Sequence, residues 1–169
     1  MDTSWIIHQL AANRATFEAM LRGTPGEVVV WKPAPEHWCI LEVVCHLRDE
    51  EVEDFRARVD AVLHRPEAPL PPIDPQGWVL GRHYMEQEFT TTLEAFLSQR
   101  DRSVEWLRSL PAPEWDNAHQ HPRFGPMSAR MLLANWLAHD YLHMRQITRR
   151  KHEFLRAHVG VPLEYAGPW

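Results

Sequence analysis

The chain has 169 residues, a formal net charge of −5, 44% hydrophobic and 24% charged residues, which is the size of one ordinary domain and close to the globular average. A disordered or fibrous chain is excluded, and the negative balance argues against a nucleic-acid binder, which needs a basic face for the phosphates. The unusual counts are 11 histidines, 14 prolines and 8 tryptophans against 7 glycines; histidine is the commonest protein metal ligand, so the count directs attention to a site.

The first predicted helix places Ile6, Leu10, Phe17 and Leu21 at helical spacing, with Asp2 or Thr3 as its cap and Gly23 and Pro25 ending it. Residues 24–38 carry three prolines and are expected to form an ordered loop or a brief extended piece. A second helix of about 25 residues begins at Cys39, where Cys-Ile-Leu-Glu has the form of a capping box with Cys in place of Ser or Thr. Its core stripe is Ile40, Val44, Leu47, Phe55, Val59 and Val62, and Arg48, Asp49, Glu53 and Asp54 are expected to lie largely outside it. Residues 64–81 contain five prolines, which forbid a helix and mark a connection. A third helix is expected from about Arg82 to Leu110, with a bend near Arg100–Arg102. A second proline-bordered loop without a convincing hairpin signal leads to Ser128, the cap of a fourth helix that runs to about Arg150.

Four amphipathic helices predict an all-α four-helix bundle in which residues 1–169 form a single domain. The second helix is about 38 Å long at 1.5 Å per residue, and a connection of about 17 residues reaches about 55 Å. The second and third helices can therefore run parallel, joined by a long crossover. Cys39 and Cys45 lie on one helix and cannot face each other, so no disulfide is expected. Sparse cysteine, no secretory pattern and no run of about 18 apolar residues predict a cytoplasmic protein that does not span a membrane.

His139 and His143 stand at i and i+4 on the fourth helix, on the stripe that also carries Leu132 and Trp136. Two imidazoles so placed can share one metal ion. For that pair alone, two core histidines with ordinary partners are the commoner arrangement. His46 supplies a third donor: it lies about two turns after the start of the second helix, His143 lies about two turns before the end of the fourth, and antiparallel helices bring them level. Three neutral imidazoles with open positions are the donor set of a catalytic-type centre. Glu50, one turn beyond His46, is a candidate general base, an acceptor for an imidazole N–H, or a solvated carboxylate. Asp140 points about 100° away from the histidines and is expected at the surface or in a dimer contact. Cys45 is expected as a small buried hydrophobe, the His119-x-His121 pair as loop histidines, Trp136 as a pocket wall, and His8 as a further pocket candidate. No Glu is followed three residues later by His, which disfavours a carboxylate-bridged di-iron bundle.

The segment WKPAPEHWCILEVVCHLRDEE, with Trp31, Pro33, Trp38, Glu42, His46 and Glu50, resembles the signature of the DinB-like, YfiT-related metalloenzyme family. FGPMSARMLLANWLAHDYLHMRQI resembles that family's closing helix, with H-x-x-x-H followed by R-Q-I. The resemblance implies an up-down-down-up bundle with a divalent metal (zinc, nickel, iron or manganese) on His46, His139 and His143. It also implies a homodimer, a small-molecule substrate, and a thiol transferase or hydrolase that uses a low-molecular-weight thiol or water. The alternative is a non-catalytic bundle that binds metal or a small molecule. Cys39, where Ser is usual, departs from the pattern at a cap rather than at the chemistry.

Overall fold

Asp2 opens the first helix by accepting the Ser4 N–H at 3.2 Å, which satisfies one of the backbone donors that a helix start leaves without an intrahelical partner. A computed structural model describes the protein over residues 2–169. Helix α1 (Thr3–Leu21) buries Ile6, Leu10, Asn13, Phe17 and Leu21. The following segment, expected as an ordered loop or a brief extended piece, is a loop over residues 31–39 but not throughout. It forms a short helix, α2 (Gly26–Val30), because the Pro25 carbonyl accepts both Val28 and Val29 N–H groups and Val29 anchors the turn in an apolar cluster.

Helix α3 (Ile40–Glu50) begins where the Glu42 carboxylate accepts the Cys39 N–H at 2.8 Å. It continues through a π-helical segment, Glu51–Arg56, into α4 (Ala57–His64). Periodicity predicts the long helix but not its π segment. Such insertions are often found at functional sites, and this one starts directly after Glu50. Asp49 and Asp54, expected largely outside the core stripe, are buried.

The proline-rich connection does hold a helix, α5 (Pro75–Gly81), capped by Asp74. Pro75 takes the first helical position, where a missing N–H costs nothing. Tyr84 ties the crossover to α3: it is fully buried, and its hydroxyl donates to Asp49 Oδ2 at 2.8 Å. Helix α6 (Phe89–Ser109) starts later than Arg82 because Glu88 caps the Thr90 and Thr91 N–H groups at 2.9 and 2.6 Å. The expected loop before the last helix contains a hairpin, β1 (Ala118–His121) and β2 (Gly125–Ser128), antiparallel with Ala118 opposite Ser128 and His121 opposite Gly125. Ser128 caps α7 (Ala129–His158) at the Met131 N–H. This helix runs two turns past Arg150, where Phe154 and His158 pack edge-on against Trp31.

Side-chain pairing gives the directions of the four long helices. Ile6 and Leu10 share a cluster with Val59, Val62, Val104, Leu107, Leu132 and Leu133, while Phe17 and Leu21 share one with Ile40, Val44, Leu93, Phe96 and Ile147. Helices α1 and α7 therefore run one way, and α3–α4 and α6 the other. The bundle core is filled by the two clusters, with Phe17 and Phe96 in edge contact at 5.2 Å between centroids.

Between the clusters lies an ion network. Arg100, expected at a bend, is 1% exposed inside an unbroken α6. It donates to both carboxylate oxygens of Glu51 at 2.9 Å and to both of Asp140 at 2.7 Å. Asp140 also accepts from Asn13 at 2.9 Å, and Glu51 from the Trp136 indole at 3.1 Å. Asp140 is thus fully buried and not on the surface, because a face 100° from the histidines is still an inner face of a helix packed on two sides. Removing one partner of a buried ion pair strands the other charge, so Arg100→Met is expected to cost about 3–5 kcal/mol in urea unfolding; a loss below about 1 kcal/mol would show that the network does not hold the bundle together.

Candidate metal centre

α3 carries His46 on a face that turns toward α7, and α7 carries His139 and His143 one turn apart on the face that meets it. His46 and His143 are 4% and 5% exposed. Their Nε2 atoms close on His139 Nε2, at 3.2 Å from His46 and 2.9 Å from His143, and one donor atom from each of the three residues lies within 4.8 Å of the others. Glu50 Oε2 stands 3.1 Å from His139 Nε2 and 3.7 Å from His46 Nε2.

This crowding is the test of whether a cation fits. A ring nitrogen offers one in-plane proton or one lone pair, yet His139 Nε2 has three polar neighbours at hydrogen-bond distance. Nitrogens that share one ion at about 2.0–2.1 Å lie about 2.8–3.0 Å apart in an octahedral arrangement and about 3.3–3.4 Å apart in a tetrahedral one, a range that contains the two spacings found. His143 is also oriented for coordination: with Gln146 Oε1 2.7 Å from its Nδ1, the proton sits on Nδ1 and the Nε2 lone pair faces the centre. His46 Nδ1 is buried without a hydrogen-bond partner among the described residues, so the side of the ring away from the cluster is held by packing against Trp38, at 4.9 Å between centroids. The donor set fits a divalent ion.

Burial, reinforced by the neighbouring His139, depresses the His46 pKa to about 3, and burial with His139 and His46 does the same to His143. Both rings are therefore neutral donors at physiological pH. The two thiols are poor competitors: burial pushes Cys39 up to about 11 and Cys45 up to about 12.

His139 is the most open of the three, with 16% of its side chain exposed. It faces a cleft of about 390 Å³ shared with Phe55, Arg58, Phe124, Met131 and Leu142. Trp136 is not a wall of this cleft. It is 1% exposed and stacks on Phe55 at 5.8 Å, and Phe55 in turn lies 4.9 Å from the His139 ring. His8 is exposed on α1 and takes no part. In the hairpin, His119 bonds the Pro66 carbonyl and His121 accepts the Arg123 and Phe124 N–H groups. Glu42, besides its cap, pairs with Lys32 at 2.7 Å. The sequence pattern alone does not single out Gln146, although its i+3 spacing from His143 is the signal that would find it.

The fold and the three-histidine cluster define a class, helical bundles with a metal-type centre between antiparallel helices. The model of the DinB superfamily matches residues 9–147, and the chain belongs to that family. Among solved structures it is similar to YfiT from Bacillus subtilis, described as "a probable metal-dependent hydrolase with an unusual four-helix bundle topology", at 17% identity and a TM-score of 0.78, over 90% of this chain and 87% of that one. No curated protein matches the chain. No helix among the described residues is long and apolar enough to cross a membrane.

The pH dependence of the metal-free protein tests the buried, neutral state of the rings. Unfolded histidine titrates near 6.5, so below that pH the unfolded chain takes up protons that the folded chain refuses. Stability is unaffected above about pH 7 and falls as pH drops from about 6.5 toward 3. His143→Gln removes one such group, so the loss of Tm between pH 7 and pH 5 in chelator-treated protein should shrink by about 4–8 °C; an unchanged loss would show that His143 is not held neutral.

Proposed function

We propose that the protein is a metal-dependent enzyme in which His46, His139 and His143 hold one divalent ion, of the zinc, nickel, iron or manganese kind, and Glu50 handles the proton. The reaction is attack of water or of a low-molecular-weight thiol on a small electrophile, hydrolysis or thiol transfer. The observation that carries this reading is Glu50 Oε2 at 3.1 Å from His139 Nε2. It places a buried carboxylate against the cluster, where a proton must be accepted if water or thiol is to become a nucleophile. The similarity to YfiT supports the hydrolytic form.

A divalent ion so held supplies a Lewis acid that brings the ionisation of a water or thiol toward neutral pH. The chain's own residues do the rest. Gln146 fixes the tautomer and direction of His143. Trp38 and Phe55 pack against His46 and His139 and keep bulk water from the inner side of the cluster. On the open side Phe55, Phe124, Met131 and Leu142 offer an apolar seat for the electrophile. Glu50 accepts the proton of the nucleophile and can return it to the leaving group.

Metal analysis of the purified protein tests the ligand set: about one equivalent is expected in the wild type and a large loss in both His46→Ala and His143→Ala, and full retention by both variants would overturn it. With zinc, nickel or manganese loaded, conjugation of monochlorobimane to a panel of thiols and hydrolysis of small esters read the activity. Glu50→Gln should keep the metal while turnover falls about 10²–10⁴-fold. Unchanged turnover in that variant would remove Glu50 from the mechanism.

A further inference from the structure

Beyond His143, α7 carries Arg145, Arg149, His152 and Arg156, at spacings of four, three and four residues, which places them on one helical face. The stripe is about 16 Å long at 1.5 Å per residue. It lines a groove of about 740 Å³, within the range of small-molecule sites. The Trp169 indole lies flat on the His152 ring, with centroids 4.0 Å apart and planes 6° apart, and forms an aromatic wall. Leu142 borders both this groove and the cleft at His139, so the two cavities are neighbours along α7.

The charge of the groove is unlike that of the chain. Four arginines line it against one glutamate, in a protein of net charge −5. Arg150 is committed to the fold, donating to the Trp38 carbonyl at 2.9 Å and pairing with Glu153. Arg149 also reaches Glu153, at 2.9 Å, but is 68% exposed, and an ion pair so exposed is readily exchanged for a ligand. Arg145 and Arg156 are exposed and have no acidic partner among the described residues. Favourable interaction with the helix C-terminus explains a cation in the last turn, such as Arg156, but the effect falls off within that turn and does not reach Arg145.

We propose that this groove binds the anionic portion of the substrate, an elongated small molecule that bears two or more carboxylate or phosphate groups held by Arg145, Arg149 and Arg156. The assignment to the substrate rests on the proposed function; the anion site itself does not. A stripe of about 16 Å on an otherwise acidic molecule suits a small polyanion rather than a nucleic acid, which needs a basic surface along its backbone.

Calorimetric titration of metal-free protein at low ionic strength, with tripolyphosphate and with propane-1,2,3-tricarboxylate, tests the site, and the two probes distinguish phosphate from carboxylate chemistry. One-to-one saturable binding of at least one probe is expected, weakened tenfold or more in Arg145→Gln/Arg156→Gln. Binding of neither probe, equal binding by the double variant, or binding of a single-stranded 12-mer oligonucleotide tenfold tighter than both probes would overturn the proposal. Arg145→Glu alone, which reverses the charge at an exposed position, provides an independent check and should weaken binding as strongly. The double variant is expected to take up zinc as the wild type does. Lost anion binding with retained zinc affinity in the wild type therefore counts against the groove alone, whereas zinc retained by His46→Ala and His143→Ala counts against the metal centre alone.

Discussion

The guanidinium of Arg100 meets side chains or backbone from all of the long helices other than its own: the Leu10 carbonyl on α1, Glu51 where α3 passes into its π segment, and Asp140 on α7. Taking these charges out of water costs several kcal/mol for each ion, and only paired, fully hydrogen-bonded geometry offsets it. Burial alone would lower the pKa of Arg100, but the two carboxylates hold it above its ordinary value. Such a network tolerates little rotation of any helix, since a turn that removes one carboxylate leaves an uncompensated charge in the core.

The same constraint aims the candidate centre. Glu51 follows Glu50 and Asp140 follows His139, and neighbours on a helix point about 100° apart. Locking Glu51 and Asp140 onto Arg100 therefore leaves Glu50 and His139 turned toward His46 and His143. Trp136 joins the two regions physically: its indole donates to Glu51, its ring stacks on Phe55, and Phe55 touches His139. A polar network in the middle of the bundle and the imidazole cluster beside it are thus parts of one packed arrangement. The neutral state of His46 and His143 depends on burial, to which the packing of Trp38 on His46 contributes.

Periodicity was sufficient for α1, for the start of α3 at Cys39 and for the Ser128 cap of α7, because each has a local signal: a capping side chain followed by apolar residues at helical spacing. The three histidines were legible for the same reason, being tied to helix faces and to distances from helix ends. Arg100, Glu51 and Asp140 were not. A charged residue in an amphipathic pattern is normally assigned to solvent, and nothing in one helix alone shows that its charge has partners on two others. Trp136 was misplaced for a related reason, since the face it shares with His139 is divided between the cleft and the core. The hairpin was missed because its turn is closed by His121 and by Gly125 at a φ of +69°, without the Asn-Gly or Asp-Gly pair that marks the commonest hairpins. The crossover helix α5 was hidden by prolines, one of which occupies the single helical position that suits it.

By itself the sequence determined the existence of the long helices, the starts of α1, α3 and α7, and the faces on which His46, His139, His143 and Glu50 stand, since these follow from local capping signals and from spacing along a chain that repeats every 3.6 residues. Only the tertiary structure decided which charged residues are buried, that Gln146 orients His143, and that α7 joins an apolar cleft to a basic groove. Those outcomes depend on distances between helices, and desolvation and ion pairing are settled by what the neighbouring helix presents rather than by the residue's own position in the chain.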